Sequence, residues 1–210
     1  MNDLLSFGLH RLWKKKSVKL CKLKKGAKAL DCASGTGDIA ILLAKAVGAN
    51  GTVLATDITE EMLDIAKEKA NTLFNIDFDI ADVEELAYKD NTFDCCTIGY
   101  GVRNVAHLDL ALKEMARVVK PNGRVVILEF GVPKGLWGLM FKFYSSYIIP
   151  FVGKKVAKNF SAYKYLNDTV AAFPCGNDFL QKMHYTNSYK STYMKKLYGG
   201  ISYIYVGIPK

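Results

Sequence analysis

The feature that most restricts how this chain folds is a glycine turn set between a short apolar strand and an apolar helix. Lys28-Ala-Leu-Asp-Cys-Ala33 reads as the strand, Ser34-Gly35-Thr36-Gly37 as the turn, and the periodic run from Ile39 to Val47 as the helix. Glycines at such a junction let the chain turn sharply, and they let backbone N–H groups approach a ligand at the helix N-terminus. Gly35-Thr-Gly37-Asp-Ile-Ala40 also fits the G-x-G-x-x-A pattern of dinucleotide sites, a weak signal when it stands alone.

The elements that follow keep alternating. Thr52–Asp57 reads as a second strand. A helix then opens at Thr59 as N-cap, with Glu60 and Glu61 in its first turn and Lys67 and Lys69 in its last, the charge order a helix dipole favours. Asn75–Ile80 and Phe93–Gly99 are the third and fourth strands. A helix over Leu108–Val119 stops at Lys120-Pro121-Asn122-Gly123, and Arg124–Phe130 is the fifth strand. Such alternation predicts a parallel sheet with right-handed crossovers. After a helix over Asn177–His184, the segments Ser191–Leu197 and Ile201–Ile208 make a hairpin around Tyr198-Gly199-Gly200. The expected fold is therefore α/β and Rossmann-like: a seven-stranded, mostly parallel sheet with an antiparallel terminal hairpin. The 210 residues, half of them apolar, suffice for a single such domain over 1–210. Residues from about 131 to 168 break the alternation with an aromatic and basic composition, and read as an insertion.

Three acids stand at successive strand ends: Asp31, Asp57 and Asp82. An acid just before the glycine turn suits an amine and sits badly beside a pyrophosphate. A carboxylate at Asp57 can accept hydrogen bonds from two ribose hydroxyls, a feature dehydrogenases share. Asp82, in Ile80-Ala-Asp-Val, can meet an adenine amino group. Together they suit a ligand with a cationic sulfonium and no phosphate. The plainer reading is that Asp31 or Asp82 caps a turn.

The chain carries 29 Lys and Arg against 20 Asp and Glu, a net charge of +9. Arg11, Lys14, Lys15, Lys16, Lys19, Lys22, Lys24, Lys25 and Lys28 concentrate the excess in one stretch. It reads either as a solvated helix face or as an attractor of anionic lipid or nucleic acid. Few aromatics interleave with these lysines, which argues against a single-strand stacking surface. None of Cys21, Cys32, Cys95, Cys96 and Cys175 forms a C-x-x-C pair, so neither a metal site nor a disulfide framework is expected, and a reduced cytoplasmic setting fits. The N-terminus lacks the apolar core of a secretion signal. The most apolar stretch, Leu136–Val152, is interrupted by Lys142, Ser145, Ser146 and Pro150; it suits lying on a bilayer better than spanning one.

Asn91-Thr-Phe-Asp94 and Val119-Lys-Pro-Asn-Gly-Arg124 resemble segments of class I methyltransferases. Gly99-Tyr-Gly-Val-Arg-Asn-Val105 is more specific. With Leu128-Glu-Phe130, Tyr163-Lys-Tyr-Leu166, Gly199-Gly-Ile201 and the opening Met1 to Trp13, it is similar to the UbiE/MenG family of ubiquinone and menaquinone biosynthesis C-methyltransferases. The resemblance covers essentially the whole chain. It implies methyl transfer from S-adenosylmethionine to a ring carbon of a prenylated quinol, demethylmenaquinol or a demethoxy-ubiquinol. It implies cofactor contacts at Thr36, Asp57 and Asp82, to which the glycine turn and its surroundings add Asp31, Gly35, Gly37, Ile58, Val83 and Gly99. Some members carry Ser where this chain has Gly99, so a hydroxyl contact there is lost. Members also carry a further segment ahead of the Met-Asn-Asp opening, with a Tyr-Asp pair that helps to close the cofactor site. The Gly-Phe expected after the last helix is replaced near Asn187-Ser188-Tyr189.

Methylating carbon demands an electron-rich ring, and a quinol becomes one when a hydroxyl loses its proton. The site must then stabilise a phenolate and accept a proton. Arg103 is expected to pair with the quinol oxygen, Asn104 to orient the ring or a water, and Tyr100 to stack or donate a hydrogen bond. The alternative for Arg103 is a structural ion pair with Glu129. His10, His107, a water or Glu129 are candidate proton acceptors. The segment from Leu136 to Ile149 is expected to line a channel for the prenyl tail at an anionic membrane, with Lys134, Lys142, Lys154 and Lys155 among the headgroups; core packing is the plain alternative. The protein is thus expected on the cytoplasmic side, peripheral to the membrane, without nucleic acid and without metal; the family often forms homodimers. The competing readings are a nicotinamide-dependent reductase, an RNA methyltransferase and a non-enzymatic module. No Asn/Asp-Pro-Pro-Tyr motif of amino-methylating enzymes occurs, and Phe173-Pro174-Cys175 lies past the fifth strand.

Overall fold

The computed structural model describes residues 9–133, 135, 138, 165 and 168–210. Seven strands form one sheet: β1 (Lys28–Cys32), β2 (Thr52–Asp57), β3 (Ile76–Ile80), β4 (Phe93–Gly99), β5 (Val119–Phe130), β6 (Tyr189–Leu197) and β7 (Ser202–Pro209), in the order β3-β2-β1-β4-β5-β7-β6. The first five run parallel; β7 pairs antiparallel with both β5 and β6. The expected Rossmann-like sheet with an antiparallel terminal hairpin is what forms.

Helices cover both faces. On one lie α1 (His10–Leu20) and α2 (Asp38–Val47), whose Trp13, Val18, Leu43 and Val47 are buried with Val126, Leu128 and Val206. On the other lie α4 (Leu108–Arg117) and α5 (Asn177–Tyr185), whose Leu112, Met115, Phe179 and Met183 pack with Ile98, Ile127 and Tyr205. Between β2 and β3 runs α3 (Glu60–Lys69), which buries Leu63 and Ala66. Burying both faces explains the near-continuous apolar runs of the central strands.

Three local expectations need correction. The helix before β5 ends at Arg117, not Val119, and Lys120-Pro-Asn-Gly123 belongs to the strand rather than to a stop. The register there jumps: Phe93 faces Val119 while Cys95 faces Arg124. The intervening residues bulge out, with Asn122 at φ 65°. Thr59 occupies the N-cap of α3 but makes no side-chain cap bond; its N–H donates instead to Asp57 Oδ1. The basic stretch divides: residues 10–20 are helix, the rest turn and strand. All five cysteines are free thiols. The expected insertion over 131–168 falls almost entirely outside the described residues.

Candidate active site

The sheet changes direction of growth between β1 and β4, so the loops leaving their carboxyl ends part and leave a crevice. A cavity of about 580 Å³ opens there, walled by the loops after β1, β2, β3 and β4. Of the expected cofactor and substrate residues, Asp31, Gly35, Thr36, Asp57, Ile58, Asp82, Val83, Gly99, Tyr100 and Asn104 line it, while Gly37 and Arg103 do not.

Asp31 ends β1 at 1 % exposure. Burial pushes its carboxyl up to about 7, against the stabilising hydrogen bond that the Thr97 hydroxyl donates to Oδ1. Among the described residues its other oxygen, Oδ2, is buried without a hydrogen-bond partner. An orphaned carboxylate oxygen in a ligand-sized cavity is a seat for a cationic donor.

Asp57 shapes the neighbouring wall. Gly35 N–H donates to its Oδ2 at 2.8 Å and Thr59 N–H to its Oδ1 at 3.0 Å. Each oxygen keeps a lone pair, so the carboxylate can hold the glycine turn and still accept from two neighbouring hydroxyls. Asp82 stands on the rim, exposed, where its Oδ1 accepts from Glu84 N–H at 2.9 Å. It caps a turn, as the plainer reading held, while also lining the cavity. Glu84 then joins two walls: its Oε1 accepts from the N–H groups of Ala106 and His107, tying the loop after β3 to the loop after β4.

The two turn glycines do different jobs. A Cβ on Gly35 would meet nothing within 4 Å, which keeps the turn backbone open to the cavity. A Cβ on Gly37 would lie 2.9 Å from Ala66 Cβ. Gly37, at φ 76°, therefore serves the packing of α2 on α3 rather than the cavity. Gly37→Ala is expected to cost about 2–4 kcal/mol, summing left-handed strain and overpacking. Gly35→Ala should cost only the strain, about 1–2 kcal/mol. Urea unfolding of the two variants checks the order, and equal losses would contradict it. At Gly99 a Cβ would come within 2.2 Å of Ile39 Cδ1, so the hydrogen side chain makes room for Ile39 on the cavity wall.

Tyr100 adopts φ 61° and Ala33, across the cavity floor, φ 46°. Left-handed non-glycine residues cost strain and gather where a site needs special loops. The Tyr100 ring stacks on Phe130 with centroids 4.3 Å apart. Its hydroxyl is buried without a hydrogen-bond partner among the described residues, and burial pushes its pKa well up, so it stays protonated as a donor.

Arg103 departs from the expectation. It points away from the cavity: Nη1 lies 3.0 Å from Glu129 Oε1 and also donates to the Tyr100 carbonyl. Glu129 is fully buried, and its carboxyl is raised by burial although Arg103 pulls it back. The guanidinium is held there because a buried carboxylate needs a charge partner. The structural ion pair weighed for Arg103 is the arrangement seen, and it braces the Tyr100 backbone. The three side chains named as proton acceptors are also absent from the described lining: His10 is buried in α1, His107 stands at the N-cap position of α4 without a side-chain cap bond, and Glu129 is engaged with Arg103. Asn104 does line the cavity; its Oδ1 accepts from the Tyr165 hydroxyl at 3.2 Å, which leaves its NH2 free to donate inward.

Sequence reasoning missed Lys14. It enters from α1, lines the cavity, and pairs with Asp38 Oδ2 at 2.7 Å. The only available signal was its place among many lysines. Among the described lining residues the balance is acidic: Asp31, Asp38, Asp57, Asp82 and Glu84 face one cation, Lys14. That set repels a pyrophosphate and weighs against a nicotinamide dinucleotide.

A profile of the ubiE/COQ5 methyltransferase family matches residues 1–209. The chain belongs to that family. Among curated relatives, the ubiquinone/menaquinone biosynthesis C-methyltransferase UbiE of Bdellovibrio bacteriovorus is 47 % identical over all of this chain and 89 % of its own length. The Rickettsia typhi protein of the same description is 44 % identical, over 96 % of this chain and 83 % of its own. Solved structures share the fold at low identity. A SAM-dependent methyltransferase from Aquifex aeolicus aligns with TM-score 0.60 at 22 % identity, covering 94 % of this chain and 89 % of that one. A SAM-dependent methyltransferase from Thermotoga maritima aligns with TM-score 0.66 at 18 %, covering 95 % and 89 %.

Proposed function

We propose that the chain transfers a methyl group from S-adenosylmethionine to a ring carbon of a prenylated quinol, demethylmenaquinol or a demethoxy-ubiquinol. The observation that carries the cofactor half is the orphaned Asp31 oxygen at the end of β1, in a cavity of net acidic character. Family membership and the UbiE relatives carry the acceptor half.

In this reading Asp31 Oδ2 receives the methionine ammonium, and Lys14 stands near enough to the turn to meet the carboxylate. Gly35 and Thr36 give the backbone cradle. Asp57 takes the ribose hydroxyls. Ile58 and Val83 sandwich the adenine edge that meets Asp82. The bound cofactor supplies an electrophilic methyl on a cationic sulfur. The residues after β4 handle the acceptor: the Asn104 amide donates a hydrogen bond to the quinol oxygen as it gains phenolate charge, and Tyr100 shapes the wall beside it. Arg103 positions Tyr100 from behind and is not itself in contact with the ring. Most of the rate then comes from holding the ring carbon in line with the methyl.

The Asp31 carboxyl gives a pH test. An acid raised to about 7 stabilises the fold most below the ordinary carboxylate range, and that contribution is lost as pH rises through 7. A cationic ligand favours the ionised form, so binding runs the other way. S-adenosylmethionine should bind about tenfold more weakly at pH 6 than at pH 7.5, and binding near pH 6.5 should release a proton. Calorimetry in buffers of different ionisation enthalpy reads that proton. Asp31→Asn should flatten the profile, and an unchanged profile would remove Asp31 from the role. The same titrations with NADH should show no heat.

We also place the protein at the membrane surface on its cytoplasmic side, where a prenylated acceptor resides, and a homodimer fits the family habit. No helix among the described residues is long and apolar enough to cross a bilayer. The segment expected to cover the tail, Leu136–Ile149, lies outside the described residues.

A further inference from the structure

The cationic excess is arranged as a surface. Successive residues of a helix turn by about 100°, which sets Leu12, Lys15, Lys16 and Lys19 of α1 within one narrow arc. All four are exposed, while Trp13, Ser17 and Val18 on the opposite side are buried. Leu12 keeps 57 % of its surface in water, one helical turn before Lys15 and Lys16. Among the described residues, Lys15, Lys16 and Lys19 have no ion-pair partner, and the helix carries no acid at all. A solvated helix of this kind usually intersperses acids with its lysines. Within this helix none is interspersed, and an exposed apolar side chain stands at the N-terminal end of the lysine row.

A second observation comes from a different element. Tyr198, in the β6–β7 turn, is 56 % exposed and lies against Trp13 with ring centroids 5.8 Å apart. An exposed tyrosine is therefore fixed beside the first turn of the cationic helix, an amphipathic ring of the type that settles at headgroup level. The same helix reaches the cavity: Lys14 lines it while its neighbours Lys15 and Lys16 face solvent.

We propose that the outer face of α1, with Tyr198 beside it, is the surface by which this protein lies on an anionic lipid bilayer. Lys15, Lys16 and Lys19 sit among acidic headgroups, and Leu12 and Tyr198 dip below them. The proposal rests on the prenylated-quinol reading for its purpose: docking by this face holds the protein on the membrane that carries the acceptor. A nucleic-acid partner fits less well, because a polyanion gains nothing from Leu12.

Sedimentation of the full chain with phosphatidylcholine–phosphatidylglycerol vesicles, against pure phosphatidylcholine vesicles, tests this. The wild-type chain should sediment only with the anionic vesicles and be released by salt. Each lysine near the surface is worth about fivefold in partitioning, so the charge reversals Lys15→Glu, Lys16→Glu and Lys19→Glu combined should cost at least a hundredfold. Leu12→Ser should weaken binding severalfold with its salt dependence intact. No binding by the wild-type chain, or undiminished binding by the triple variant, overturns the surface. So does competition by RNA that is lost together with vesicle binding in the triple variant while Leu12→Ser has no effect. Turnover of a short-tailed quinol in detergent separates the two readings. The triple variant should keep that turnover and lose it only for quinol embedded in vesicles. Wild-type inactivity in detergent would count against the quinol reading and leave the vesicle result to judge the surface.

Discussion

Asp57→Ala is expected to weaken S-adenosylmethionine binding by at least a hundredfold. Two losses add. In the proposed function the carboxylate takes both ribose hydroxyls, and hydrogen bonds to a charged acceptor are worth about 1.5–3 kcal/mol each. The same carboxylate holds the cradle, through Gly35 N–H at 2.8 Å and Thr59 N–H at 3.0 Å. Without it the glycine turn loses its anchor, and two N–H groups must find water. Asp57→Asn should recover part of the loss, since the amide oxygen can still take one of these N–H groups. Calorimetry on the two variants and the wild type measures both steps. Near-normal affinity in Asp57→Ala would show that the ribose binds elsewhere.

Glu129→Ala should be the most destabilising single change near the site, costing about 3–5 kcal/mol in urea unfolding. It strands Arg103, whose side chain is only 8 % exposed and whose Nε is already without a partner among the described residues. A guanidinium cannot escape by losing its proton, so in this variant the stranded Arg103 adds no pH dependence of its own to stability. Arg103→Ala should behave differently. Glu129, raised by burial even with its partner present, can go neutral. In that variant stability should be near wild type in acid, below the ordinary carboxylate range. It should then fall as pH rises through the elevated pKa of Glu129. Identical pH profiles for the two variants would contradict the assignment of charges. Because Arg103 also holds the Tyr100 carbonyl, its removal should lower kcat for the quinol more than it weakens cofactor binding.

What was legible in the chain follows from where the physics is local. Central strands buried on both faces show as runs such as Val125-Val-Ile-Leu128, and the acids at their ends stand beside recognisable turns. Non-local partners were not legible. Glu129 was weighed for Arg103, but nothing within the sequence decided between it and the substrate, because the pair closes a gap of 26 residues. Gly37 looked like part of the cradle because its real neighbour, Ala66, belongs to another helix. The start of β5 was hidden by Pro121 and Gly123, which read as a stop and instead sit in a bulge. α1 gave no boundary signal: its N-cap is Leu9, no side chain caps it, and no acid lies in its first turn. Lys14 could not be told from its neighbours until Asp38 and the cavity were placed.

The central claim is tested most directly by incubating the protein with S-adenosylmethionine labelled in the methyl group and a reduced demethylmenaquinone, then locating the label by mass spectrometry. The account predicts one labelled methyl on the quinol ring carbon, none on oxygen, and no transfer when the quinone is left oxidised. Label on an oxygen, or transfer to RNA but not to any quinol while the cofactor binds normally, would contradict it.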